Sequence, residues 1–182
     1  MIFPLVPQYA LHEFSVVSPV FLKMLGVKFL MLDLDNTIAM YNECLPTDLA
    51  CQWVAEMKNN NIELFFVSNS KRKSRVEAFA EALGIGYISR ARKPSPNSLL
   101  SVMESLGFRP DEAALLGDQI FTDTLAANRA GVISIIVHPL SMKNPLHSLR
   151  FAIEAPFRAA CKCKNANAPC GAQGVRRRRI RE

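Results

Sequence analysis

Val27-Lys28-Phe29-Leu30-Met31-Leu32-Asp33-Leu34-Asp35-Asn36-Thr37 is the stretch that decides the fold. Its apolar first half has the look of a buried strand, and it stops in two carboxylates separated by one residue. Ionised carboxylates are too costly to bury unpartnered, so a strand that ends this way must deliver them to a solvent-accessible crevice. In a mostly parallel α/β sheet that crevice lies at the carboxyl ends of the strands. The pair therefore points to a bound cation, a proton-transfer role, or both.

The segments on either side repeat the alternation of strand and helix. Upstream, Ser18-Pro19 can open a helix that Gly26 closes. Downstream, Thr47 can cap a helix running to about Lys58 with Leu49, Trp53 and Met57 at helical spacing, and residues 62–67 form a second apolar strand. Residues 71–83 place Val76, Phe79, Ala80 and Leu83 on one helical face and stop at Gly84. A short strand over 85–88, a helix over 95–106, a strand over 113–116 entering Gly117-Asp118, a helix over 122–130 and a β-branched run over 132–137 complete the series. The pattern predicts a doubly wound, Rossmann-like α/β domain whose mostly parallel central sheet is covered on both faces.

With 182 residues, 49% of them hydrophobic, and a mean hydropathy of +0.10, the chain has material for one globular core. We assign it to residues 1–158 and read 159–182 as a basic, disordered tail. The net charge of +6 belongs to the end of the chain: ten Lys or Arg face two acids from Lys143 onward, against twelve facing fourteen before it. Five cysteines, an odd number without framework spacing, fit a reducing, cytoplasmic compartment. The first twenty residues lack a basic region, and the apolar stretch 16–32 is broken by Pro19, Lys23 and Lys28, so neither a signal peptide nor a membrane span is expected.

Several strands end in polar groups at one edge of the sheet: Asp33 and Asp35, Ser68 and Asn69, and Asp118 with Asp123 one turn on. Lys93 lies in the loop after the short strand. Carboxylates, a hydroxyl and one lysine form a set suited to phosphoryl transfer with a divalent cation. Asn36 and Thr37 also have a simpler role, shaping the turn, while Lys71, Arg72, Lys73 and Arg75 read as a solvated helix face and His12, His138 and His147 as ordinary surface or packing histidines.

These residues resemble the four motifs of the haloacid dehalogenase (HAD) superfamily: Asp33 to Thr37, Ser68, Lys93, and Gly117-Asp118 with Asp123, in order. A narrower resemblance, over roughly residues 1–155, is to the YqeG-type HAD subfamily IIIA, carried by Val67-Ser68-Asn69, Ala91-Arg92-Lys93-Pro94 and Gly117-Asp118-Gln119-Ile120-Phe121-Thr122-Asp123. The resemblance implies a phosphatase in which Asp33 is the nucleophile, Asp35 the general acid and base, and Lys93 a charge-neutralising group. It implies Mg²⁺ held by Asp33, the Asp35 carbonyl and Asp118 with Asp123 in support, and phosphate contacts from Ser68, Asn69 and Thr37. That subfamily is similar to mitochondrial phosphatidylglycerophosphate phosphatases, which makes this phospholipid the leading substrate.

The intervals between motifs leave no room for a sizeable cap domain, which favours large substrates over small enclosed ones. Residues 145–160, with Leu146, Leu149, Phe151, Ile153 and Phe157 among Arg150 and Arg158, read as a basic amphipathic segment interrupted by Pro156 that can lie on an anionic membrane. Two rival functions stand beside the lipid phosphatase: hydrolysis of soluble sugar phosphates or nucleotides, and RNA or ribosome binding through the tail and its Arg176-Arg177-Arg178-Arg179 run. Cys161, Cys163 and Cys170 are a weak metal-binding candidate without a fourth ligand, and no feature specifies an oligomer.

Overall fold

The computed structural model describes residues 4–161 and 163. Six strands form a single sheet in the order β1-β6-β5-β2-β3-β4: β1 Tyr9–Ala10, β2 Phe29–Leu32, β3 Glu63–Val67, β4 Gly86–Ile88, β5 Ala113–Gly117 and β6 Ile133–Ile136. Every pairing is parallel. Parallel strands are joined by crossovers that cover both faces, so side chains must be apolar above and below. β2 meets this demand by alternation, Leu30 and Leu32 entering one core and Phe29 and Met31 the other, all four fully buried.

The first core is closed by α1 (Pro19–Met24), α2 (Asp48–Asn59) and α3 (Lys73–Leu83), the second by α4 (Asn97–Leu106) and α5 (Leu125–Ala130). Ser18 and Thr47 cap α1 and α2 by accepting from the Phe21 and Ala50 amides, as their positions predict. On α2 the buried face is Ala50, Trp53, Val54 and Met57, whereas Leu49, expected on it, is 50% exposed. The Trp53 indole donates to the Val17 carbonyl at 2.8 Å, which satisfies its one polar atom inside the core.

β2 is central, with the chain moving to β3 and β4 on one side and to β5 and β6 on the other, so the topological switch point lies at its carboxyl end. Leu32 stands opposite both Phe66 and Leu116. Asp33, Val67 and Gly117 follow at the next level, which brings the first, second and fourth motifs out of the sheet together.

Three elements depart from the expectations. β1, two residues long, is too short to leave a periodic signal, and it pairs with β6 through Tyr9 and Ile135. The helix expected over 122–130 begins with a π-helical turn, Ile120–Thr124. Residues 145–160 form one helix, α6 (Pro145–Ala160), that continues through Pro156. Beyond it, the Ala10 amide donates to the Cys163 carbonyl at 2.9 Å, and Cys163 is disulfide-bonded, so its sulfur does not serve as a thiolate ligand. The arginine run and Cys170 lie outside the described residues. No helix among those described is long and apolar enough to cross a membrane.

Candidate active site

The site begins at the strand ends. After Asp35, Asn36 adopts a left-handed conformation (φ 62°), which turns the chain back sharply so that its amide donates to the Ala39 carbonyl at 2.7 Å. The Asn36 side-chain amide reaches the Ser141 carbonyl at 3.1 Å and lies 3.1 Å from His147 Nδ1, tying this turn to residue 141 and to the helical residue 147. Asn69 Oδ1 accepts from the Lys93 amide at 2.8 Å while its Nδ2 donates to the Lys93 carbonyl at 2.9 Å. Its side chain is thus committed to holding Lys93.

Lys93 extends inward, and its ammonium lies 2.7 Å from Asp33 Oδ1 and 2.7 Å from Asp123 Oδ1. Asp33, Asp118 and Asp123 are all buried and offer carboxylate oxygens within 4.8 Å of one another. Thr37, fully buried beneath them, places Oγ1 3.5 Å from Asp33 Oδ2 and 3.4 Å from Asp118 Oδ1. The Ser68 hydroxyl accepts from the Ser70 amide at 3.1 Å, which leaves its own proton to donate into the cavity it lines. Gly117 is required by close approach, since a Cβ there would collide with the Asp123 carboxylate.

Three carboxylates against one ammonium leave this locus short of positive charge. Burial, reinforced by Asp123 and Asp35 and opposed by Lys93, pushes the Asp33 carboxyl up to about 7. Burial and then Asp33 and Asp123 likewise hold Asp118 well above the usual carboxylate range. On Lys93, burial opposes the charge, but Asp123 and Asp33 outweigh it and raise the pKa above the ordinary lysine value. Hard oxygen donors with excess negative charge fit a divalent cation such as Mg²⁺. The Asp35 carboxylate is not part of this cluster.

The locus opens onto a cavity of about 440 Å³ lined by Asp33, Asp35, Ser68 and Lys93 at its floor and by Tyr41, Lys71, Arg72 and Arg150 farther out. Burial and the Asp35, Asp118 and Asp33 carboxylates push the Tyr41 hydroxyl up to about 12, with Arg150 acting in the opposite sense. Tyr41 thus lies within the fields of both the acidic floor and the basic rim.

A haloacid dehalogenase-like hydrolase family model matches residues 12–131. The "Probable phosphatase YqeG" of Bacillus subtilis (strain 168) is 34% identical over 125 residues, covering 69% of this chain and 72% of that protein. The chain belongs to the haloacid dehalogenase-like hydrolase family. Similar solved folds include the cobalt-bound deoxy-D-mannose-octulosonate 8-phosphate phosphatase of Haemophilus influenzae (TM-score 0.52, 13% identity, 73% of this chain and 92% of that one). Another is the 3-deoxy-D-manno-octulosonate 8-phosphate phosphatase of Yersinia pestis (TM-score 0.51, 16% identity, 76% and 83%).

This HAD phosphatase departs from the sequence reading at Arg75. Instead of facing solvent with Lys71, Arg72 and Lys73, Arg75 is buried, and its guanidinium contacts Asp35 Oδ1 at 2.5 Å and donates to the Met40 and Glu43 carbonyls at 2.7 and 2.8 Å. It also lies 5.0 Å from the Phe79 ring centroid, one helical turn on. The signal was present, because position 75 shares the inward face with Val76 and Phe79. Arg75→Met leaves Asp35 without its cation, and breaking a buried pair from one side costs about 3–5 kcal/mol. We expect a lower Tm together with a kcat reduced at least tenfold on p-nitrophenyl phosphate; an unchanged kcat would separate Arg75 from the chemistry.

α6 is the second departure. Arg158, expected at a membrane surface, is buried and donates to the Val137 carbonyl at 2.9 Å and to the Asp118 carbonyl. Glu154, 1% exposed, accepts from the Phe121 amide at 3.2 Å. Arg150 donates to Gln119 Oε1 at 2.6 Å. One face of α6 therefore clasps the Asp118–Asp123 loop, while Leu146, Leu149 and Ile153 stand 71%, 58% and 54% exposed. An i,i+4 Glu and Arg on a helix read as a surface pair, so nothing in the pattern alone announced this clasp.

Proposed function

We propose that this enzyme hydrolyses a phosphate monoester through an aspartyl-phosphate on Asp33. The observation that carries the reading is the Lys93 ammonium held between Asp33 and Asp123 on the floor of an open cavity. A carboxylate oxygen of Asp33 attacks phosphorus as the bond to the leaving oxygen breaks, and Asp35 delivers a proton to that oxygen. Water then attacks the aspartyl-phosphate, Asp35 takes its proton, and phosphate departs with Asp33 restored. Arg75 grips Asp35 by one oxygen and leaves the other for these proton transfers. Ser68 donates to a phosphoryl oxygen, Lys93 neutralises charge beside Asp33, and Thr37 and Asn69 act beneath and behind them as positioning groups. Asp33, Asp118 and Asp123, with the Asp35 carbonyl, would hold Mg²⁺, which supplies charge neutralisation for the phosphoryl oxygens.

For the substrate we propose a phospholipid phosphomonoester, with phosphatidylglycerophosphate foremost, met by a cytoplasmic protein at a membrane surface. The open cavity, and the exposed Leu146, Leu149 and Ile153 on the helix that carries its Arg150, support this reading. A phosphatase screen offering phosphatidylglycerophosphate in mixed micelles beside sugar phosphates and nucleotides tests it. We expect selective lipid turnover and cosedimentation with anionic vesicles at low salt. Selective turnover of a soluble phosphate without vesicle binding would overturn the lipid assignment and leave the reaction in place.

A further inference from the structure

The family match ends at residue 131, yet the active-site cavity is completed by a residue beyond it, Arg150. Arg150 comes from α6, whose buried Glu154 and Arg158 fix the helix on the Asp118–Asp123 loop, so the guanidinium is carried by an anchored element. Its one hydrogen bond is to a neutral acceptor, Gln119 Oε1, and no acid pairs with it among the described residues. Gln119 is itself tied to the catalytic floor, its amide donating to Asp123 Oδ2 at 3.0 Å.

The charge distribution within the cavity is asymmetric. All its acids, Asp33, Asp35 and Asp123, belong to the floor, where Lys93, Arg75 and a divalent cation answer them. The outer part presents Lys71, Arg72 and Arg150 with no acid facing them. Asp33 and Lys93 are buried whereas Lys71, Arg72 and Arg150 are exposed, so the two sets occupy the inner and outer parts of the cavity, and the volume of about 440 Å³ is that of a site for a sizeable ligand. An arginine with donors to spare, poised over open volume, matches a second phosphate, for which its planar fork is suited.

We infer that Arg150 forms, with Lys71 and Arg72 of the same cavity, a second anion subsite that recognises a phosphodiester on the leaving group, and so selects esters that carry this second phosphate over those that carry the monoester alone. The inference rests on the phosphomonoesterase reading of Asp33. The same chemistry would be presented by a lipid headgroup or by a soluble bis-phosphate ester.

The test compares kcat/KM of the full chain, with Mg²⁺, for glycerol 3-phosphate and for glycerophosphoglycerol phosphate, the soluble ester that adds a phosphodiester to the same glycerol phosphate. A diacyl lipid with that headgroup, in mixed micelles, is the third arm. A charge-assisted contact of this kind corresponds to about a 10- to 100-fold preference for the diester-bearing ester. Arg150→Ala should collapse that ratio at least tenfold, and Arg150→Lys should keep part of it. A wild-type enzyme without the preference, or a ratio unchanged by Arg150→Ala even if both rates fall, would overturn the subsite; the second result would confine Arg150 to holding Gln119. If the ratio collapses while the lipid is not turned over, the subsite stands and the lipid reading falls. Turnover of no ester at all, p-nitrophenyl phosphate included, would remove the phosphatase reading beneath both.

Discussion

Asp33→Asn is expected to abolish p-nitrophenyl phosphate hydrolysis while leaving the protein folded. Loss of a nucleophile that acts in concert with its neighbours costs on the order of 10⁴-fold or more in kcat. The amide keeps the shape of the carboxylate, and its oxygen can still accept from Lys93, which sits 2.7 Å from Asp33 Oδ1. Stability should not suffer. Burial already disfavours the ionised form, pushing this carboxyl up to about 7, so a neutral isostere removes a charge the folded chain holds at a cost. The checks are steady-state turnover and Tm in EDTA. Residual activity above about 1% of wild type would transfer the nucleophile role elsewhere, since such a remainder exceeds what positioning groups alone sustain.

Lys93→Met should be the most destabilising single change at the site. It leaves Asp33 and Asp123, each 2.7 Å from the lost ammonium, buried beside Asp118 with no cation in contact among the described residues. Removing one partner of a buried ion pair costs about 3–5 kcal/mol, and loss of the positive charge beside Asp33 should lower kcat by about 10²- to 10³-fold. The pH dependence has a definite sign. Carboxyls whose folded pKa lies above the unfolded value bind more protons in the folded state, so they destabilise increasingly as pH rises past the unfolded value near 4. Without Lys93 the folded values climb further. The stability deficit relative to wild type should therefore be largest above pH 7, shrink on acidification towards pH 5, and be partly relieved by Mg²⁺. Thermal unfolding at several pH values, with EDTA or Mg²⁺, measures it; a variant as stable as wild type at pH 8 in EDTA would contradict the ion-pair account.

The sheet was legible because its strands are buried on both faces and so appear as uninterrupted apolar runs, and because parallel order follows from their alternation with helices. The floor of the site was legible for a related reason: Asp33, Ser68 and Asp118 follow directly on such runs, and strand register carries them to one level. What was not legible depends on tertiary partners. Position 75 falls on the inward face of α3, but the partners that hold its guanidinium there, Asp35 and the Met40 and Glu43 carbonyls, appear only when α3 is set beside the Tyr41 loop. Glu154 and Arg158 look like a surface pair until α6 is set on the Asp118–Asp123 loop, where burial pushes the Glu154 carboxyl up against the opposing pull of the Ile120 and Phe121 amides. Tyr41 carries no motif, because its contribution to the cavity lies in its position between floor and rim.

The clasp of α6 also bears on when the enzyme becomes active as it is made. Chains emerge from the ribosome at about 5–20 residues per second and fold as they do so. β2 to β6 are complete at Ile136, and with them every acid of the catalytic floor, but Glu154 and Arg158 arrive later. Until they do, the loop bearing Asp118 and Asp123 has its strand but not its brace. A nascent chain would therefore hold a nearly finished sheet around an unfinished catalytic site, and hydrolytic competence would come only once α6 has been made.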